Sequence, residues 1–199
     1  MKYTLDDGRV LISLARDAIE SVLNNSESQF KPDGKLIEEY GDKRGVFVTL
    51  SLNSELRGCI GFIQPIYKLY EAVIRAARLA AFNDPRFAGL TKEEYKEISV
   101  EVSILTPPKE IMADTPDDYL KNIKVRRDGL IIDNGFNSGC LLPQVPGEWN
   151  WDEKEFLENT CMKAGLHKDA WKDDNCKVLK FTAQVFSEEA GGVIEKELD

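Results

Sequence analysis

Apolar residues recur at helical spacing from Val10 to Leu23, with Val10, Leu11, Leu14, Ala15, Ala18, Ile19 and Val22 on one stripe. That spacing predicts an amphipathic helix packed through a single face. Asn24 to Lys35 is polar, carries Pro32 and Gly34, and reads as a loop. Residues 45–50 have strand composition, and the polar break Ser51 to Glu55 leads to a second strand, Leu56 to Ile63. Two strands joined by a short polar run predict an antiparallel hairpin. A helix is predicted over 66–82, with Ile66, Leu69, Tyr70, Val73, Ala77, Ala80 and Ala81 along one side. It breaks at Asn83 to Phe87, because Pro85 cannot continue a helix.

Thr91 to Glu94 forms a capping box that starts a short helix. Ile98, Val100, Val102 and Ile104 then alternate with Ser99, Glu101 and Ser103, the cleanest strand pattern in the chain. Thr115, Pro116 and Asp118 mark another helix start. Leu130 to Asp133 and a strand around Cys140 to Leu142 read as a second hairpin. Pro143 to Asn150 reads as an irregular loop, and Asp152 caps a helix stopped by Gly165. The last predicted strand is Val178 to Phe186, and the acidic tail 187–199 is expected to be flexible. No repeat or linker divides the chain. The pattern predicts an α+β fold, a mostly antiparallel sheet flanked by helices, as one domain over 1–199 with its core at about 10–186.

A hydrophobic content of 42% is ordinary for a soluble globular protein. The net charge of −9 repels phosphate backbones and argues against nucleic acid or anionic membrane as partner. Lys121, Lys124, Arg126 and Arg127 form a local basic patch, read as a solvated face; the rival reading is a nucleic-acid-associated regulator with salt-dependent binding. No apolar stretch approaches the roughly 18 residues of a membrane span, and the N-terminus does not resemble a signal peptide. Four widely spaced cysteines read as reduced thiols, so a cytoplasmic location is expected. With a single histidine, His167, and no Cys-x-x-Cys, no metal site is expected, and the sequence names no cofactor. A Gly-rich phosphate loop and a Ser-centred elbow are both absent.

The densest chemistry lies in Leu56-Arg57-Gly58-Cys59-Ile60-Gly61. On a regular strand Arg57 and Cys59 share a face, and a guanidinium beside a thiol favours the thiolate. Cys59 is therefore the candidate nucleophile or thiolate; its plain alternative is a small core filler. Arg57 is a candidate anion fork, or else half of a salt bridge to Glu101 or Asp84. Gly58 and Gly61 leave room for a ligand or another backbone. Further binding candidates are Asp84 and Arg86 around Pro85, for which a turn with a local ion pair is the preferred reading. Two more are Glu101 on the polar side of its strand, by default a solvated face, and Gln144 in a loop, whose plain alternative is backbone satisfaction there. His167 sits in a Lys-rich polar segment and reads as a surface residue, so a Cys–His dyad is not expected.

The chain resembles the AMMECR family through that hexapeptide and an ordered set of further segments. These are Leu14-Ala15-Arg16, residues 45–50, Ala81 to Phe87, Ser103 to Pro107, Leu141 to Val145, Phe156-Leu157 and Cys161 to Leu166. The likeness runs from about residue 10 to 186. It implies two lobes of unequal size, with the hexapeptide at a cleft, and it implies no settled reaction. It also implies association with a Memo-like protein and a radical SAM protein, and through them with redox or iron-related metabolism. Two functions follow as expectations: a Cys59/Arg57 pocket for a small anionic or oxidised substrate, or a protein-binding adaptor whose hexapeptide is structural.

Overall fold

The structure is a computed structural model and describes residues 2–197. In chain order the first elements are α1 (Leu5–Leu23), α2 (Gly34–Glu39), β1 (Gly45–Leu52), β2 (Glu55–Phe62), α3 (Leu69–Phe82) and α4 (Lys92–Glu97). Next come β3 (Ile98–Leu105), β4 (Lys109–Glu110), α5 (Pro116–Asn122), β5 (Asp128–Asp133) and β6 (Ser138–Leu141). The chain continues with α6 (Val145–Trp149), α7 (Glu153–Lys163), a 3₁₀ turn at Ala170–Lys172, β7 (Lys177–Glu189) and β8 (Gly192–Lys196). The strand pairings are antiparallel, so the fold is α+β. It divides into two compact units: residues up to Leu105 with Gln184–Lys196, and Thr106–Ala183.

In the first unit β1 is central, antiparallel to β2 on one side and β3 on the other. Val46, Val48 and Leu50 of β1 and Val100 and Val102 of β3 face one way, into a core shared with the apolar stripes of α1 and α3. Strand alternation therefore sends Phe47, Thr49, Ser99, Glu101 and Ser103 to the other face. The alanine side of α3 lets helix and strand backbones approach closely. A Cβ built on Gly58 would lie 2.2 Å from the Ala80 carbonyl oxygen.

In the second unit β5 pairs with β6 and with the first half of β7, and β4 pairs with that same half of β7. Its core gathers Leu130, Ile132, Phe156, Leu157, Trp171 and Val178.

Several elements depart from the sequence expectations. Helix α1 starts at Leu5, because Thr4 and Asp7 form a reciprocal capping box that extends it beyond the apolar stripe. Helix α3 starts only at Leu69, so Ile66 lies outside it and is exposed. The stretch read as a loop at 143–150 contains the short α6, ended by Asn150 in the left-handed region at φ +54. The correction at the C-terminus is the largest. Residues expected to be a flexible tail continue β7 to Glu189 and return as β8, paired from Val185↔Lys196 to Glu189↔Gly192. Glu188, within the stretch expected to be flexible, instead receives Arg16 Nε at 2.6 Å, Arg16 Nη2 at 2.7 Å and the Val100 N–H at 2.8 Å. The last two positions of that tail lie outside the described residues. No helix among the described residues is long and apolar enough to cross a membrane.

Candidate functional site

Thr49 is paired with Cys59 on β2 and with Glu101 on β3, so the three side chains form one row across the sheet on the face away from α3. The backbone of Cys59 turns outward: its N–H donates to Asp84 Oδ2 at 2.9 Å, and its C=O accepts from Arg86 Nη2 at 3.2 Å. Thr49 and Cys59 are thus an antiparallel pair without mutual ladder bonds, the arrangement that brings side chains closest. The Thr49 hydroxyl accordingly donates to Cys59 Sγ at 3.3 Å.

Asp84 and Arg86 hold each other as a fork on the open edge of β2. Arg86 Nε reaches Asp84 Oδ1 at 2.9 Å and Nη2 reaches Oδ2 at 2.7 Å. The Arg86 guanidinium holds the Asp84 carboxyl well below the usual carboxylate range, helped by the Cys59 and Arg86 backbone N–H groups. Asp84 is buried, whereas Arg86 keeps half its side-chain surface exposed. The pair gives Cys59 an acceptor and a donor where a neighbouring strand would, which satisfies that edge.

Arg57 does not flank the thiol as expected. The β1–β2 register slips between Leu50 and Ser51, pairing Leu50 with Gly58 and Ser51 with Leu56, so Arg57 is the extra residue of a bulge. A bulge re-aims the side chain it carries. Arg57 Nε and Nη2 bind the Glu94 carboxylate at 2.9 and 3.1 Å, and Nη2 also donates to the Ala88 carbonyl at 2.9 Å. Its salt-bridge partner is therefore Glu94 rather than Glu101 or Asp84. These bonds, with the Thr91 N–H, hold the Glu94 carboxyl down to about 2. Arg57 Nη1 is buried without a hydrogen-bond partner. The Phe87 ring lies near both guanidiniums, 5.8 Å from Arg57 and 5.4 Å from Arg86.

The expectation of a resting thiolate is also corrected. Burial pushes the Cys59 thiol up; the Thr49 hydrogen bond and Arg86 pull it down, while Glu101 and Asp84 add to the upward push. The net shift is upward, so at neutral pH Cys59 is a thiol. Gly58 and Gly61 serve backbone approach, not ligand room: a Cβ on Gly61 would meet the Val46 carbonyl at 2.2 Å and the Phe47 ring at 2.5 Å.

Glu101 lies at the far end of the row and is bound by Lys196 Nζ of β8 at 2.8 Å. Gln144 lies in the second unit, where it opens α6 and its Oε1 is buried without a hydrogen-bond partner. His167 is 64% exposed and 3.0 Å from Asp173. In the basic patch Lys121 pairs with Asp118 and Arg127 with Asp128. Burial raises the other thiols as well, Cys140 to about 12 and Cys161 to about 11. Among the described residues no group of three or more His, Cys, Asp and Glu could hold a metal ion.

Sequence reasoning missed Thr49 and Lys196. Thr49 sits in a strand pattern that was legible, but only the register puts it beside Cys59.

A family model described as AMMECR1 matches residues 12–186, most of the chain. The chain belongs to the AMMECR1 family. Proteins similar to this AMMECR1-family chain include one from Thermococcus onnurineus, 51% identical over 194 residues that cover 94% of each chain. Protein PH0010 from Pyrococcus horikoshii is 50% identical over 187 residues, covering 92% of this chain and 90% of that protein. A protein from Methanopyrus kandleri is 47% identical over 203 residues, covering 99% and 97%. The crystal structure of uncharacterized protein PH0010 from Pyrococcus horikoshii has a TM-score of 0.89 to this AMMECR1-family fold, with 49% identity and 96% of each chain covered.

Proposed function

We propose that the face carrying Cys59 is a small-molecule site in which a protonated thiol meets an anionic or oxidised ligand held by Arg86. The observation that carries this reading is the convergence on one residue of a hydroxyl donor to its sulfur and a half-exposed guanidinium on its carbonyl. A guanidinium binds carboxylates and phosphates through a planar fork of donors. In this chain the bulge retires Arg57 to Glu94, and Asp84 and the Cys59 carbonyl already hold Nε and Nη2 of Arg86, so in the proposed site Arg86 meets the anion through its remaining Nη1 on the exposed side. The thiol is converted to its nucleophilic form only when a bound ligand or rising pH removes its proton.

Paired alkylation tests this reading. Native protein is labelled with iodoacetate and with iodoacetamide at about pH 8.5, where the free cysteine peptide is half ionised and the raised Cys59 thiol less so. Each cysteine is then read by mass spectrometry. Cys59 is expected to favour iodoacetate over iodoacetamide relative to a free cysteine peptide, and Arg86→Gln to remove that preference while Arg86→Lys keeps part of it. A ratio equal to the peptide's, or labelling only after unfolding, overturns the site.

We also propose a second reading, a protein-binding adaptor, with the exposed apolar side chains Phe136 at 95% and Met112 at 83% as its candidate contacts. Memo-like and radical SAM proteins are the partners this reading puts forward. Capture of either by purified protein, unaffected by Cys59→Ser, supports it.

A further inference from the structure

Lys196 belongs to β8, beyond the residues 12–186 that the family model matches, yet it reaches the row that contains the thiol. Its ammonium lies 2.8 Å from Glu101 Oε2. Glu101 is only 15% exposed and shares its sheet face with Cys59 through Thr49. Two strand spacings separate Cys59 from Glu101, roughly 10 Å. Over that distance, beside a partly buried face, a full charge still acts on an ionising group.

We propose that Lys196 is a positioning residue of the Cys59 site: by pairing Glu101 it offsets part of the negative charge on the thiol's face, and so tunes how readily the thiol ionises and an anion approaches. This rests on the thiol-site reading above. The charged groups facing Cys59 are Arg86 and Asp84 from the loop before α4, which offset each other, and Glu101 from β3. Glu101 is the member of this set whose partner comes from another element, the C-terminal strand. The ladder Val185↔Lys196 places that lysine, and the ladder forms only when β8 is docked on β7. The C-terminal hairpin is thereby wired into the electrostatics of a site formed by the N-terminal half of the chain.

The test is the pH profile of native Cys59 alkylation by iodoacetamide in four variants. Removing the cation alone, Lys196→Gln, leaves Glu101 uncompensated; labelling at fixed pH is expected to slow about threefold, with the profile moved to higher pH. Removing the carboxylate alone, Glu101→Gln, is expected to speed labelling by about the same factor. The double variant returns close to wild type, and Lys196→Arg matches wild type. Salt at about 1 M shrinks both single effects, because the screening length drops to about 3 Å. A purely structural lysine produces no opposite signs and no cancellation.

Thermal melts identify any variant whose fold is lost. Single variants that label at the wild-type rate, while the iodoacetate preference persists, overturn the role of Lys196 and leave the thiol site standing. A Cys59 that labels only after unfolding removes both.

Discussion

Gly58 shows how a single residue can read as a binding feature and prove to be a packing one. Its missing side chain admits the Ala80 carbonyl, a helix backbone atom that cannot yield without moving α3. Gly58→Ala is therefore expected to destabilise the first unit by about 3 kcal/mol, the upper part of the overpacking range, read as a lowered denaturant midpoint. Gly34 is the control. It opens α2 and has nothing within 4 Å of a built Cβ, so Gly34→Ala is expected to raise stability by roughly 0.5 kcal/mol. Equal effects from the two substitutions would mean that α3 gives way at Ala80. Cys59 and the Asp84–Arg86 pair were legible one by one, as reactive or charged residues in suggestive places. That they bond to one another was not, because Asp84 lies 25 positions from Cys59 and meets it through the outward-facing backbone of an edge strand.

At the scale of elements, regular periodicity made β1, β3, the central part of α1 and most of α3 readable, since burial on one face imposes the 2.0 and 3.6 repeats directly. The bulge at Arg57 carried no such mark. One extra residue leaves composition untouched but changes what the side chain faces, which is why a strict alternation put Arg57 beside the thiol. Its actual partner ties β2 to α4, and that tie has a pH signature. Glu94 titrates at about 2 in the fold, below an unfolded value near 4.3. A depressed carboxylate contributes stability that is present above the unfolded value and lost as pH falls toward the folded one. The stability advantage of the wild type over Glu94→Gln is thus expected to be full at pH 6 and to fade between about pH 4 and 2. Melts of both proteins across that window check it. An advantage unchanged down to about pH 2 would show that the Arg57–Glu94 pair contributes nothing through its charge.

For the whole molecule, the C-terminal segment is the main lesson. Acidic, glycine-bearing sequence such as Ser187 to Lys196 has no apolar period, and its order comes from distant partners: Arg16 on Glu188, Lys196 on Glu101, and the ladder of β8 on β7. Strand β7 itself serves both units, pairing with β5 from Lys177 to Thr182 and with β8 from Val185 to Glu189. Nature has also placed separate reporters in the two. All three tryptophans, Trp149, Trp151 and Trp171, belong to the second unit, while Cys59 belongs to the first. A strand that runs unbroken through two ladders cannot lose one without exposing the end of the other. The tryptophan emission transition and the pulse-alkylation transition of Cys59 are therefore expected to coincide in urea, and Gly58→Ala, though far in sequence from any tryptophan, to lower both midpoints together. Two separate midpoints, with only the Cys59 transition moved by the substitution, would mean that β7 parts between Ala183 and Val185 and that each unit holds its own stability.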